Sequence, residues 1–524
     1  MNELDGQSPD RRGTRVETAD RTIGRLVPWV LTVVGGIVAL GVAARILLAP
    51  QWDWNAARLM FSFALIRGFD IYPIDGSEPA VGCIYGPVFP VAYLPATVVD
   101  SPTLAVLIGT SLAAGLVIAP AFALLWSCAR ADRFRWIGLV ALVGTCLTAE
   151  PLRYSTFSIH ADAPVLALLT GATGLWLQAS SRQRTPLAAA ALVALAVWCK
   201  QVVAPAALAF PLWSLLVSGR RASVRGLASL GVAGAVVSAV AVATFGFPDL
   251  MFNLVTLPGA TPWYGSGTRL QRLAPVLVDF TVLMWPWLVT VVALTALHLR
   301  APDATRPTWR QWLGHRSWLL LALVGVLLAP TSIFAKVRMG GSVNSWTPSL
   351  YFLVLACLCA VLDLGRAPGR RGGISGAARF SRLLLMIYAV GLGVHVARGP
   401  DLRDWRRPEA RHPFSNPQQQ AHDFLLAHPG STYFPWNPLA HLLAESQLVH
   451  HADGVIIRDL AGVPLSQAEF DAGVGRTFVF VAAAPGRRNE RVQARYLPQF
   501  SERVALPGLP LWTVYQVPSV PGLR

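Results

Sequence analysis

The chain has 524 residues, of which 54% are hydrophobic and only 14% are charged, and its formal net charge is +16. Ordinary soluble domains carry about 25% charged residues, so this composition excludes a soluble globular fold. The basic residues are scattered over short loops between apolar runs, which indicates contact with anionic lipid headgroups and excludes a nucleic-acid partner.

The apolar runs predict an all-α polytopic membrane protein of about eleven spans. A polar tail, 1–25, precedes the first run. The run 85–99 holds three prolines and is short for a span, so we interpret it as a short helix that dips in from the outer face or crosses obliquely. The predicted spans are 26–49, 103–128, 136–149, 163–179, 186–199, 202–217, 226–245, 276–298, 317–334, 347–364 and 383–398.

The distribution of basic residues predicts an orientation. With the N-terminus inside, the predicted inner segments hold 22 Lys and Arg residues and the short outer segments hold 8. Proteins inserted with their basic loops inside show this asymmetry. It predicts a cytoplasmic tail 1–25, a transmembrane domain 26–400, and an extracytoplasmic domain 401–524. If 85–99 crosses the membrane, every later loop changes side.

The first outer loop carries an acidic candidate. Asp53 is the first charged residue after the first span, and residues 54–66 predict an amphipathic helix on the membrane surface. Two interpretations of Asp53 stand. It caps that helix, or its carboxylate deprotonates an acceptor hydroxyl or holds a divalent cation.

The second outer loop holds Arg153, His160 and Asp162 just before the span 163–179. Asp162 is either a helix cap or a site residue. A lone histidine in such a loop is usually structural. As site residues, the three would face the same cavity as Asp53.

One lysine lies deep for a charged residue. Lys200 separates two apolar halves, and charge is costly in a membrane. It either faces a cavity, as the partner of a lipid-linked phosphate, or extends to the interface. The loop 246–275 places aromatic residues beside Arg269, which suits sugar and phosphate contact or an interfacial aromatic belt.

The C-terminal segment, 401–524, differs from the apolar part before it, because it has more charged residues and frequent turn residues. Asn416 and Pro417 predict a helix start, with Asn416 or Ser415 as its cap and an end near His428. Further predicted elements are strands at 432–435, 477–483 and 511–517. This segment therefore predicts a small α/β domain.

Four short motifs together resemble the GT-C superfamily of membrane glycosyltransferases, and the resemblance covers most of 26–400. Two features depart from the family pattern: Asp53 is not part of an acidic pair, and Gly86 stands where the family has proline. The motifs are Asp53 after the first span, Arg67-Gly-Phe-Asp70-Ile-Tyr72 leading to Tyr85-Gly86-Pro87-Val-Phe89-Pro90, His160-Ala-Asp162-Ala-Pro164, and Lys200-Gln201.

The resemblance implies a cell-envelope enzyme of a bacterial cell membrane that transfers a hexose or pentose from a polyprenyl-phosphate donor to an extracytoplasmic acceptor. It implies Asp53 as the base or the ligand of a divalent cation, Asp162 as a second acidic catalytic residue, and Lys200 as a contact of the donor phosphate. Metal dependence, sugar, acceptor and oligomeric state stay open. The implied substrate-binding residues are Lys200, Gln201, His160, Arg153, Asp70, Tyr72, Tyr85 and Arg269.

Two other functions compete with sugar transfer. A multi-span transporter or lipid flippase predicts intramembrane acidic residues and internal repeats, and the sequence shows neither convincingly. A non-catalytic scaffold leaves the acidic and basic residues of the outer loops unexplained.

Overall fold

The computed structural model describes residues 10–48, 50–76, 78–128, 134–300, 308–365, 376–404, 416–475, 478–483 and 490–518. Helices lie at every predicted apolar run. In the described part, eight helices are long and apolar enough to cross a membrane, and two further apolar helices are shorter. This confirms a polytopic, mostly helical membrane part, while the count of spans stays a prediction.

The N-terminal part, up to residue 404, is helical throughout its regular structure. Its α-helices are α1 (Asp10–Leu47), α2 (Trp52–Ile66), α3 (Val88–Ala92), α4 (Pro102–Cys128), α5 (Phe134–Thr148), α6 (Glu150–Thr156), α7 (Asp162–Ser181), α8 (Leu187–Cys199), α9 (Ala209–Ser218), α10 (Arg220–Phe245), α11 (Phe247–Met251), α12 (Leu257–Ala260), α13 (Arg269–Arg300), α14 (Trp309–Gly314), α15 (Trp318–Leu327), α16 (Ala329–Val337), α17 (Thr347–Leu364), α18 (Gly376–Arg398) and α19 (Pro400–Asp404). Tighter 3₁₀ turns occupy Leu94–Val98, Gln201–Leu208 and Val343–Trp346, and a wider π turn occupies Phe252–Thr256.

Burial separates the centre of this part from its periphery. The segment Val343–Leu364 includes α17, and 94% of the residues in its most apolar stretch are buried. In the most apolar stretch of Arg269–Leu299, on α13, only 6% are buried. Helix α17 packs against α13, α15 and α18 and forms the centre of the bundle. Helix α13 is apolar but exposed, as expected for a helix that faces lipid.

The helix after the first span is buried, and this corrects the sequence analysis. We predicted a surface helix for 54–66, but residues 55–57 and 59–64 of α2 are buried, and α2 packs against α3 and α4. Its cap position is Gln51, so Asp53 lies in the first turn and is not the cap. The neighbouring run 85–99 forms only the short helix α3 and one 3₁₀ turn.

The C-terminal segment is an α/β domain, as predicted. Asn416 caps its first helix through bonds from the backbone N–H groups of Gln418 and Gln419, at 3.0 Å each. The elements are α20 (Pro417–Ala427), β1 (Thr432–Tyr433), α21 (Pro438–Glu445), α22 (Ala452–Leu460), α23 (Gln467–Val474), β2 (Phe480–Ala483), α24 (Glu490–Tyr496), β3 (Glu502–Val504) and β4 (Thr513–Gln516).

The strands form one sheet in the order β1-β2-β4-β3, in which β1 pairs parallel with β2 and the other pairs are antiparallel. All three predicted strands are present in shorter form, and β3 was not predicted. Ser415 and the predicted strand start at residue 477 lie outside the described residues.

The C-terminal domain is fastened to the helical part by buried polar contacts. Asn416 Nδ2 donates to Thr103 Oγ1 at 2.8 Å. The Arg458 guanidinium donates to the carbonyl oxygens of Pro73 and Ile74, at 2.8 and 2.9 Å. The Arg458 bonds satisfy backbone carbonyls of the first loop, and the Asn416 bond joins the domain to α4.

Candidate functional site

A cavity of about 530 Å³ lies between the helical part and the C-terminal domain. Both parts line it, so neither part forms the site alone. The lining consists of residues of α2, the loop 82–85, residues 200–202, the segments 258–264 and 335–345, and C-terminal residues between 436 and 460.

Helix α2 presents one face to the cavity. Trp54, Ala57, Arg58 and Phe61 line it, and their spacing of three and four residues places them on one side of a helix. The Arg58 guanidinium donates to the Tyr154 hydroxyl at 3.0 Å and lies 4.9 Å from the centre of the Trp54 ring. These contacts hold a cation in the cavity wall.

A buried ion pair supplies a second cation. Lys200 ends α8 in extended backbone, where the chain changes direction into the turn Gln201–Leu208. Its Nζ bonds to Oδ1 of Asp162, the first residue of α7. The break in the helix therefore brings the lysine to the cavity, and the carboxylate beneath fixes its position.

Asp162 has no exposed surface, and both of its oxygens are occupied. Besides the Lys200 bond to Oδ1, Oδ2 accepts from Ser155 Oγ at 3.0 Å and from Asn344 Nδ2 at 2.9 Å, and it lies 2.8 Å from His160 Nδ1. A carboxylate so fully paired is suited to positioning Lys200. A role of Asp162 in the chemical step stays a prediction.

His160 links Asp162 to the cavity wall. Burial lowers its pKa to about 3, so the imidazole is neutral. When Nδ1–H donates to Asp162, Nε2 accepts from the Tyr85 hydroxyl at 2.7 Å. The Tyr85 ring centre lies 5.9 Å from Lys200 Nζ, so the chain Asp162–His160–Tyr85 supports the same wall as the lysine.

The structure brings most of the predicted site residues together. Lys200, Gln201 and Tyr85 line the cavity. The Tyr72 hydroxyl donates to the Tyr85 carbonyl oxygen at 2.7 Å, and Asp70 accepts from the Tyr72 backbone N–H at 2.7 Å. Asp70 and Tyr72 therefore shape the loop behind the cavity wall.

Three predicted residues lie elsewhere. Asp53 accepts from Gln418 Nε2 of α20 at 3.1 Å and does not belong to the cavity lining. Arg153 lies within electrostatic reach of Arg45. Arg269 is exposed, 5.9 Å from the centre of the Trp263 ring. The fold therefore does not bring Asp53, Arg153 and Asp162 to one shared cavity.

Sequence reasoning missed several lining residues. Arg58 had a usable signal, since it shares the helical face of Trp54 and Phe61. Asn344, Trp436 and Asp453 had none, because only the fold brings residues so far apart in sequence to one cavity.

Helix α22 contributes most of the lining residues that come from the C-terminal domain, and it meets the first loop at two glycines. The Gly82 position has φ +73°, and a Cβ there would lie 2.6 Å from the Gly454 Cα. The His451 backbone N–H donates to the Ala80 carbonyl oxygen at 3.1 Å. Backbone thus packs directly on backbone, which leaves Asp453 little freedom to shift.

The described residues contain no group of three or more His, Cys, Asp and Glu side chains that could hold a metal ion. Asp53 as the ligand of a divalent cation stays a prediction.

The fold and the site together define a polytopic membrane protein with a cationic, aromatic cavity closed by a small α/β domain. No protein-family model and no curated protein matches the chain. One similar solved structure is ArnT from Cupriavidus metallidurans bound to undecaprenyl phosphate, with 12% identity, a TM-score of 0.49, and coverage of 93% of this chain and 98% of that one. So distant a likeness does not decide the function.

Proposed function

We propose that the protein is a membrane glycosyltransferase of the GT-C type, which transfers a sugar from a polyprenyl-phosphate donor to an extracytoplasmic acceptor. The observation that carries the proposal is the cavity of about 530 Å³, in which Lys200 and Arg58 are placed beside aromatic rings. The motifs Arg67–Tyr72, Tyr85–Pro90 and Lys200-Gln201 support it, because residues of all three lie at or behind this cavity.

The cations suit a phosphate group. Lys200 is 7% exposed and Arg58 is held by Tyr154, so both charges are fixed beside the cavity rather than dispersed in water. Fixed positive charge stabilises the negative charge that develops on a departing phosphate. Arg338, a third lining cation, donates to the carbonyl oxygens of Pro258 and Gly259 and orders the rim.

The aromatic residues suit a sugar. Trp54 and Trp436 line the cavity with their ring centres 5.8 Å apart, and Tyr264 lies in the lining as well. Aromatic faces pack against the C–H faces of sugar rings and leave the hydroxyl groups free to bond. The exposed apolar surface of α13, which packs against α16 near the rim, is placed to hold the polyprenyl chain.

In the proposed reaction, the acceptor oxygen loses its proton to a carboxylate and forms a bond to the anomeric carbon. The bond between that carbon and the donor's phosphate oxygen breaks, and its electron pair leaves with the polyprenyl phosphate. Sequence reasoning predicts Asp53 as the proton acceptor. The reaction inverts the configuration at the anomeric carbon, since one displacement occurs.

Lys200→Met tests the proposal directly. Purified protein in vesicles is given radiolabelled polyprenyl-phosphate hexoses and pentoses, and sugar transfer or donor hydrolysis is measured. We expect the wild type to consume one of these donors and Lys200→Met to reduce kcat by about 100-fold or more, because a fixed cation is lost from the departing phosphate.

The matched control is Lys336→Met, which removes the chain's other lysine outside the cavity lining and is expected to keep wild-type activity. If labelled donor crosses the vesicle membrane with no transfer or hydrolysis, the protein is a transporter or flippase and the proposal is wrong.

A further inference from the structure

The cavity contains one acidic residue among its described lining residues, and it comes from the C-terminal domain. That residue is Asp453, in the first turn of α22. The same cavity is also lined by Arg58, Tyr85 and Lys200. Asp162 is buried beneath the lysine, and Asp53 faces Gln418, so Asp453 is the carboxylate that borders the space a substrate would occupy.

The position of Asp453 is fixed from both sides. The Ala452 backbone N–H donates to the Pro435 carbonyl oxygen at 2.7 Å, and a Cβ at Gly82 would lie 2.6 Å from the Gly454 Cα. The residues before and after Asp453 are thus held against their neighbours. Catalytic groups need such support to keep their geometry within a fraction of an ångström.

The charge of Asp453 acts on Arg58. Burial lowers the pKa of Arg58, while Tyr154, Tyr85 and Asp453 raise it, and the net direction is upward. Asp453 therefore lies close enough to act on the cation that we assign to the donor phosphate. An acceptor hydroxyl between Asp453 and that cation would stand between a base and a leaving group.

We propose that Asp453, a residue of the C-terminal domain, is the general base of the sugar transfer. This inference rests on the proposed function and replaces Asp53 in that role. The Asp453 carboxylate takes the proton of the acceptor hydroxyl while the acceptor oxygen bonds to the anomeric carbon. The donor's anomeric carbon–oxygen bond breaks, polyprenyl phosphate leaves with the electron pair, and the protonated Asp453 returns its proton to water.

The test compares three variants of the full-length protein in vesicles: Asp453→Asn, Asp53→Asn and Asp423→Asn. Asp423 is the matched control, because its side chain is 61% exposed on α20 of the same domain. Two quantities are measured, kcat with the donor that the wild type uses and the affinity for free polyprenyl phosphate.

We expect Asp453→Asn to lower kcat by about 100-fold or more, the contribution of a general base, and to remove the acidic limb of the pH–rate profile. Its affinity for polyprenyl phosphate should equal or exceed that of the wild type, because a negative charge near the phosphate site is gone. Asp423→Asn should match the wild type in both quantities.

Other results separate the two claims. If the wild type transfers sugar and Asp453→Asn keeps its kcat, or if Asp53→Asn alone loses it, the assignment of Asp453 is wrong and the enzyme function stands. If Asp453→Asn loses affinity together with kcat, the residue is structural and the assignment is wrong. If the wild type consumes no donor, the proposed function itself fails.

Discussion

At the scale of single residues, the pair formed by Asp162 and Lys200 shows what sequence reasoning reaches. Lys200 was recognisable, because a charge between two apolar runs needs a partner or a cavity. Its partner was not, since 38 positions separate the two residues and only the packing of α7 against α8 joins them. A residue's chemistry can be predicted from sequence more readily than its contacts.

The pair predicts a non-additive response to mutation. Asp162→Asn leaves the buried Lys200 ammonium without its anion, which costs about 3–5 kcal/mol in the free energy of unfolding. Adding Lys200→Met removes the unpaired charge, so the double variant should regain much of that loss while remaining inactive. Melting temperatures in detergent and transfer assays measure the two effects. Additive losses of stability in the double variant would contradict the coupling.

At the scale of elements, close backbone approach explains one departure from the family motif. Gly86 occupies the position of a proline in that motif, and its N–H donates to the Cys199 carbonyl oxygen at 3.2 Å. A proline has no N–H to donate, and a Cβ at this position would overlap the Trp198 carbonyl oxygen. The motif was recognisable from sequence. The reason for its glycine was not, because the backbone that Gly86 contacts belongs to a neighbouring helix, α8.

Gly86→Ala should therefore destabilise the protein, although it adds only one carbon. The added Cβ meets backbone rather than a flexible side chain, so the loop carrying Tyr85 must move away from α8. We expect a loss of about 1–3 kcal/mol in stability and a rise in KM for the donor. Gly36→Ala is the control, since nothing lies within 4 Å of a Cβ there. Equal behaviour of the two variants would contradict the packing argument.

The docking of the C-terminal domain should weaken in acid. His450 Nδ1 accepts from the Ala80 backbone N–H at 2.8 Å, and its Nε2 lies 3.3 Å from the Glu469 carbonyl oxygen, so the ring is bound as the neutral form. Burial lowers the pKa of His450 to about 4, from an ordinary 6.5. Its stabilising effect is therefore complete above pH 6.5 and is lost as the pH falls towards 4.

The melting temperature measured between pH 7 and 4 tests this. We expect a smaller decrease in His450→Gln, whose amide does not titrate, than in the wild type. His428→Gln, which changes an exposed histidine of the same domain, should follow the wild type. The same decrease in all three proteins would show that His450 is not the titrating group.

At the scale of the whole molecule, composition and hydropathy predicted the helical membrane part and the α/β domain, because these follow from local pattern and length. The predicted surface helix was wrong, since amphipathicity does not say whether the apolar face meets lipid or protein. The cavity could not be predicted from the sequence, for a related reason. Its walls come from residues as far apart as Trp54 and Leu460, which no local pattern connects.

The predicted orientation is testable by chemical labelling. Glu502→Cys and Arg184→Cys place thiols at exposed positions of the C-terminal domain and of a predicted inner loop. The native cysteines whose burial is described are all buried and free, and Cys128→Ser removes the sixth. With a membrane-impermeant maleimide added to intact cells, we expect labelling at position 502 only, and at 184 after permeabilisation. The reverse pattern would overturn the orientation.

Because the helical part and the C-terminal domain both line the cavity, the site is completed only late in synthesis. Trp54 and Arg58 leave the ribosome about 400 residues before Asp453, so the helical part is inserted long before the domain that completes its cavity exists. A chain released before α22 would hold an open cationic cleft without its carboxylate. Under the proposed function, the order of translation would keep the nascent protein inactive until the α/β domain has docked.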